Sequence, residues 1–146
     1  MVLNVVLDTS VIIKWFRQEE VLAGQALAWR EAYLQGRAVV SVPSLVVYEL
    51  SNVMRYKGEM TTKQVQDALL SFYDMGLEQV LPSGQVMCRA VEIAREYDIT
   101  VYDATFVALA ESLDASFVTA DENLVKQLKN LHFVRFLGRR PAEESR

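Results

Sequence analysis

Four carboxylates stand along this chain in places where they could do chemistry together: Asp8, Glu49, Asp103 and Asp121. Asp8 ends an apolar run in Val6-Leu7-Asp8-Thr9-Ser10, and Asp121 follows another in Val118-Thr119-Ala120-Asp121. Glu49 lies at helical spacing from Leu45, Val53 and Tyr56, so it projects from an apolar stripe; Asn52, three residues on, shares that face. Asp103 opens the almost wholly apolar stretch that runs through Ala108-Leu109-Ala110. A buried carboxylate without a partner is strongly disfavoured. Two of them within ~4 Å repel by about 4 kcal/mol at an effective dielectric of about 20. A fold that gathers all four therefore needs a cation, or protons, between them. Oxygen ligands without His or Cys select Mg²⁺, with Mn²⁺ as its substitute, over zinc.

Each acid also has a plain structural reading. Asp before an apolar helix is an ordinary N-cap, which would account for Asp8 or Asp121; Ser10 could cap the first helix, and Thr119-Ala120-Asp121-Glu122 even spells a capping box. Asp103 in a first helical turn gains from the helix dipole. Glu49 could be neutralised by an Arg or Lys from elsewhere in the chain. The joint reading is stronger than any of these taken singly, because the acids fall where one sheet could gather them.

Other chemistries are thinly supplied. A Ser-His-Asp or Cys-His arrangement would have to use His132, the single histidine, which sits ahead of a late strand and is expected at a surface or edge position. The single cysteine, Cys88, excludes a disulfide framework and any multi-cysteine zinc site, and is expected to be a buried core thiol. The net charge of −4 argues against a protein that binds nucleic acid through bulk charge. Any such function must be carried by a local site, with Lys14, Arg17, Arg55 and Lys57 as candidates for phosphate contacts.

The elements that must position these residues alternate along the chain. Residues 2–7, 38–42, 116–119 and 133–137 read as β-branched or apolar strands, with a weaker one at 78–81. Helical patterns cover 10–16, 21–35, 44–56, 62–73, 83–97, 103–113 and 122–131. Short apolar strands separated by helices imply an α/β fold, a three-layer α/β/α sandwich around a parallel sheet of about five strands. Ligands of such sheets bind beyond the C-terminal ends of the strands, where Asp8 and Asp121 emerge. Residues 1–137 are expected to form a single domain, followed by a loose polar tail at 138–146. No apolar run reaches the roughly 18–20 residues of a membrane span, and the opening Met1-Val2-Leu3-Asn4 lacks a basic signal-peptide region. A cytoplasmic protein is the expectation.

The four acidic motifs, taken in order, resemble those of the PIN-domain family, in particular the VapC-type toxins of bacterial and archaeal toxin–antitoxin pairs. The likeness runs from Leu7-Asp8-Thr9-Ser10 through Pro43-Ser44-Leu45 and Tyr48-Glu49-Leu50-Ser51-Asn52 to Tyr102-Asp103-Ala104 and Val118-Thr119-Ala120-Asp121. Each motif is short; four in sequence, over nearly the whole chain, are specific. The resemblance implies Mg²⁺-dependent cleavage of RNA, a homodimer and a small cognate antitoxin. It carries metal binding onto Asp8, Glu49, Asp103 and Asp121, and it matches Thr9 and Thr119 to hydroxyls that support the acids. In this reading Asp8 and Asp121 hold the metal directly, Asp103 does so directly or through water, and Glu49 orients water. A DNA nuclease with the same site and a noncatalytic module of the same fold are the alternatives. A separate hint of pairing is the number of large apolar groups at Leu22, Leu27, Trp29, Tyr33, Leu69, Leu70, Phe72 and Tyr73, more than one small sheet obviously needs to cover it.

Overall fold

A computed structural model describes residues 2–57 and 59–138. The elements run β1 (Leu3–Leu7), α1 (Thr9–Ile12, continued by a 3-10 turn over Ile13–Trp15), α2 (Ala23–Leu34), β2 (Ala38–Pro43), α3 (Leu45–Tyr56), α4 (Thr62–Asp74), β3 (Glu78–Val80), α5 (Gly84–Tyr97), α6 (Val101–Ser112), β4 (Ser116–Thr119), α7 (Glu122–Gln127) and β5 (Val134–Phe136). The strands form one sheet in the order β3-β2-β1-β4-β5, every pair parallel. The expected three-layer α/β/α architecture around five parallel strands is what forms. Residues 139–146 of the expected tail lie outside the described residues.

The sheet is parallel because every connection is a helical crossover, and its middle strands are covered on both faces. Val5, Val6 and Leu7 of β1, Val40 and Val42 of β2, and Phe117 and Val118 of β4 are all buried. That is why these strands read as continuous apolar runs with no alternation. The edges are kept short, at three residues each for β3 and β5, which limits unpaired backbone. Helix α6 lies against β1, β2 and β4 and also packs on α5. Its consecutive residues from Ala104 to Ala110 are all buried, so it has no polar face to show. Trp15 anchors the 3-10 turn by donating its indole N–H to the Ala26 carbonyl at 2.8 Å.

Local signals set the helix starts. Thr61 and Gln64 form a reciprocal capping box at α4, with Oγ1 accepting the Gln64 N–H at 3.1 Å and Gln64 Oε1 accepting the Thr61 N–H at 2.8 Å. Ser83 caps α5 through the Val86 N–H, and Thr100 caps α6 through the Asp103 N–H. The Thr100 cap starts α6 two residues earlier than the apolar pattern alone suggests, at Val101. Helix α7 ends at Gln127 and stops short of residue 131.

Two expectations are overturned. Cys88 is exposed, because α5 buries Ala90, Ile93 and Ala94 and Cys88 falls off that stripe. The surplus of large apolar groups is mostly used inside the chain. Phe72 is fully buried, and Leu22, Leu27, Trp29, Tyr33 and Leu69 pack against the core. Only Leu70 and Tyr73 of that set stand well exposed, at 64% and 53%. His132 is exposed, just ahead of β5.

Candidate metal centre

The strand order fixes where a ligand can bind. β2 and β3 lie on one side of β1 and β4 and β5 on the other, so the crossovers diverge at the C-terminal ends of β1 and β4. Such a switch point opens a crevice in parallel sheets. Leu7 pairs with Val118, and the Asp8 N–H donates to the Val118 carbonyl at 2.9 Å. The residues that follow, Asp8 from β1 and Thr119, Ala120 and Asp121 from β4, therefore line the crevice from both sides. Two helices complete it. Glu49 and Asn52 come from α3, and Asp103 comes from the first turn of α6. All four acids and Asn52 line one cleft of about 490 Å³.

A hydroxyl network holds the acids. Ser10 Oγ and Thr119 Oγ1 both donate to Asp8 Oδ2, at 2.7 and 2.8 Å. With their protons so committed, the two oxygens accept backbone N–H groups from Ala120 at 3.0 Å and Asp121 at 3.1 Å. Thr9 Oγ1 donates to Glu49 Oε1 at 2.8 Å. Thr9 and Thr119 thus each donate a hydrogen bond to one of the acids. Ser10 joins them, a role hidden in the sequence because a serine after Asp-Thr also reads as a helix cap. Asn52 reaches the cleft wall but is exposed.

The simple structural readings fare unequally. Asp8 occupies the N-cap position of α1 without a side-chain cap bond, so capping does not explain it. Asp121 does cap α7, its Oδ1 accepting the Leu124 N–H at 3.1 Å, while its side chain also borders the cleft. Glu49 has no neutralising base: among the described residues none of the four acids takes part in an ion pair.

Their electrostatics follow from that isolation. Burial pushes the Asp8 carboxyl above its ordinary value against the pull of the Ser10, Thr119 and Thr9 hydrogen bonds, and the Asp121 charge pushes the same way. Glu49 is raised by burial and by the charges of Asp8 and Asp103, with the Thr9 bond opposing. Asp103 is raised to about 6 by burial and then by Asp8 and Asp121. Among the described residues no three acids stand close enough to form a ready-made metal cage; they border the cleft within reach of each other's charge. The donor set nonetheless suits a hard divalent cation: carboxylate oxygens, partly dehydrated, mutually repelling and not ion-paired.

The four basic candidates separate. Lys14 and Lys57 line the same cleft. Arg17 is nearly buried among Glu19, Glu20 and Glu59. Arg55 is spent on the Tyr56 ring, 4.5 Å from its centroid. Glu20, which the sequence did not single out, lies between Lys14 and Lys57 in the cleft wall. No periodicity marks it, since its partners come from a turn and from the end of α3.

A parallel sheet with this strand order and acids at its switch point defines the class of fold, and comparison with known proteins supplies the family. The PIN domain family matches residues 5–129, and the chain belongs to that family. No curated protein matches it. Among solved structures, a toxin–antitoxin complex from Klebsiella pneumoniae is similar over 91% of this chain and 97% of that one, at 17% identity and a TM-score of 0.68. VapBC2 from Rickettsia felis, bound to a DNA fragment from its promoter, is similar over 92% and 97%, at 17% identity and 0.66. The Mycobacterium tuberculosis toxin VapC20, which cleaves the sarcin–ricin loop, is similar over 84% and 93%, at 14% identity and 0.65. At such identities the likeness is one of fold.

Proposed function

We propose that this chain is a Mg²⁺-dependent endoribonuclease and the toxin of a toxin–antitoxin pair. One observation carries the reading: four carboxylates, three of them with raised pKa values and none ion-paired, border one cleft at the switch point of a PIN fold. Asp8, Asp103 and Asp121 would hold the Mg²⁺, with Mn²⁺ able to replace it. A bound divalent ion supplies positive charge that polarises the scissile phosphate and eases deprotonation of water. Thr9 fixes Glu49 through Oε1, which leaves Oε2 to orient the attacking water and accept its proton. Ser10 and Thr119 fix the Asp8 carboxylate so that it need not reorganise when the cation arrives. Asn52, which lines the cleft, would donate a hydrogen bond to substrate.

The working unit is residues 1–137 as a single domain, supported by one sheet that takes strands from both ends of that range. Among the described residues no helix is long and apolar enough to cross a membrane, in keeping with a cytoplasmic enzyme. A homodimer and a small antitoxin complete the proposal, on the family and on neighbours that are themselves toxin–antitoxin complexes.

Incubating purified protein with total RNA in Mg²⁺ and mapping new 5′ ends tests the activity. Cleavage should stop with EDTA and in Asp8→Asn, and the variant should keep its fold. Undiminished cleavage in excess chelator would refute the mechanism, and cleavage of single-stranded DNA alone would transfer the site to a DNA substrate.

A further inference from the structure

The cleft has a second wall that the acids do not explain. Lys14 Nζ lies 3.3 Å from Glu20 Oε1, and Lys57 Nζ lies 3.2 Å from Glu20 Oε2; all three side chains line the cleft that the acids occupy. Arg17 reaches Glu20 from behind, its Nε 3.2 Å from Oε2, and its outer side is met by the exposed Glu19 and Glu59. One carboxylate therefore faces two lysines across the cleft wall. The positive surplus lies with the three side chains that line the cleft, while Arg17 behind them is balanced by Glu19 and Glu59. Its parts come from distant places: Lys14 from the 3-10 turn, Glu20 from the loop before α2, and Lys57 from the end of α3.

The geometry is poised in a way that chance surface pairs are not. The Lys14 and Glu20 side chains are only 11% and 18% exposed, whereas Lys57 is 42% exposed. Burial removes most of the freedom that makes surface ion pairs weak. Glu20 itself is held ionised, its carboxyl lowered by hydrogen bonds and charge from Lys57 and Lys14 against the cost of burial. A chain of net charge −4 that takes a polyanion into an acidic cleft needs such a fixed positive counterface, since bulk attraction works against it.

We infer that Lys14 and Lys57 form a phosphate clamp beside the metal centre, gripping the RNA backbone next to the scissile bond, with Glu20 as the positioning residue that sets both ammonium groups. The inference rests on the ribonuclease reading and says from which side of the acids the strand is held.

The test uses the full chain and a short fluorescein-labelled single-stranded RNA. Binding is followed by anisotropy across a salt series in Asp8→Asn, and cleavage is followed in the protein with all four acids. Adding Lys57→Ala or Lys14→Met should weaken binding severalfold and lower the slope of log K against log salt by about 0.7 per lysine, as expected for one lost single-strand phosphate contact. In the cleaving protein the loss should raise KM and, because the strand is then held less squarely beside the metal centre, also lower kcat. Glu20→Gln leaves both lysine charges, so the salt slope should stand while kcat falls, with Glu20→Asp recovering part of it. Arg89→Ala, on α5 and paired with Glu111 outside the cleft, should change none of these. An unchanged slope and KM in Lys57→Ala, which is exposed enough to be tolerated, would overturn the clamp while RNA is still cleaved. An unchanged kcat in Glu20→Gln would overturn the positioning role. A slope that falls on lysine removal in a protein that cuts no RNA would uphold the clamp and sink the ribonuclease reading instead.

Discussion

Asp103 sits in the first turn of α6, where the helix dipole favours an ionised carboxylate. Its pKa nonetheless rises to about 6, because burial and the charges of Asp8 and Asp121 outweigh the opposing Thr100 hydrogen bond. The consequence for stability has a definite sign. A carboxyl that binds its proton more tightly in the folded state adds stability below its unfolded pKa and loses it as pH rises through the folded value. Asp8 and Glu49 are shifted the same way. In EDTA, thermal stability should therefore fall between about pH 4 and pH 7. Asp103→Asn should flatten that fall by something on the order of 1 kcal/mol, given its partial exposure and solvent screening. Calorimetric melts of both proteins across that range check it, and parallel slopes would count against the shared acidic cleft. Adding Mg²⁺ should reverse the trend, because a cation competes with the protons for the same oxygens.

At the scale of the element, two threonines in the same structural position carry different loads. Thr61 caps α4 away from the cleft, and Thr100 caps α6 while also touching Asp103. Each changed to Ala should cost about 1 kcal/mol of stability. Only Thr100→Ala should also slow cleavage; equal turnover in the two variants would show that the α6 cap has no bearing on the site. The elements themselves were largely legible, since the apolar runs of β1, β2 and β4 and the apolar stripes of α3 and α4 follow from periodicity. The acids of the cleft were legible for the same reason, as Asp8 and Asp121 end strands and Glu49 interrupts a stripe. What escaped was tertiary. Ser10 is tied to Thr119 and Ala120, partners that only the parallel β1–β4 pairing brings near. Glu20 lies in a loop whose sequence says nothing of Lys57. Cys88 was misjudged by residue type, although the α5 stripe at Ala90, Ile93 and Ala94 already excluded it.

For the molecule as a whole, most of the apolar groups that hinted at pairing are spent on the core. Well-exposed large apolar side chains remain, among them Leu70, Tyr73, Tyr48 and Tyr56. The expected homodimer must use surfaces of this kind. Light scattering at micromolar concentration should show a dimer, and Leu70→Asp should weaken it if α4 contributes. A monomer in the unaltered protein would remove the dimer from the proposal.

The strand order also has a consequence in time. β1 is made first, yet it is the middle strand, and its β4 neighbour begins at Ser116. Asp8 must wait for more than three-quarters of the chain before the Thr119 hydroxyl and the Asp121 carboxylate can join it. A contact of that sequence separation forms late. While the ribosome is still translating the message, the growing polypeptide thus lacks the assembled cleft, which can close only once β4 and Asp121 have been made. Chains stopped after Asp114 should show no Mg²⁺-dependent rise in melting temperature, whereas chains stopped after Gly138 should show it in full.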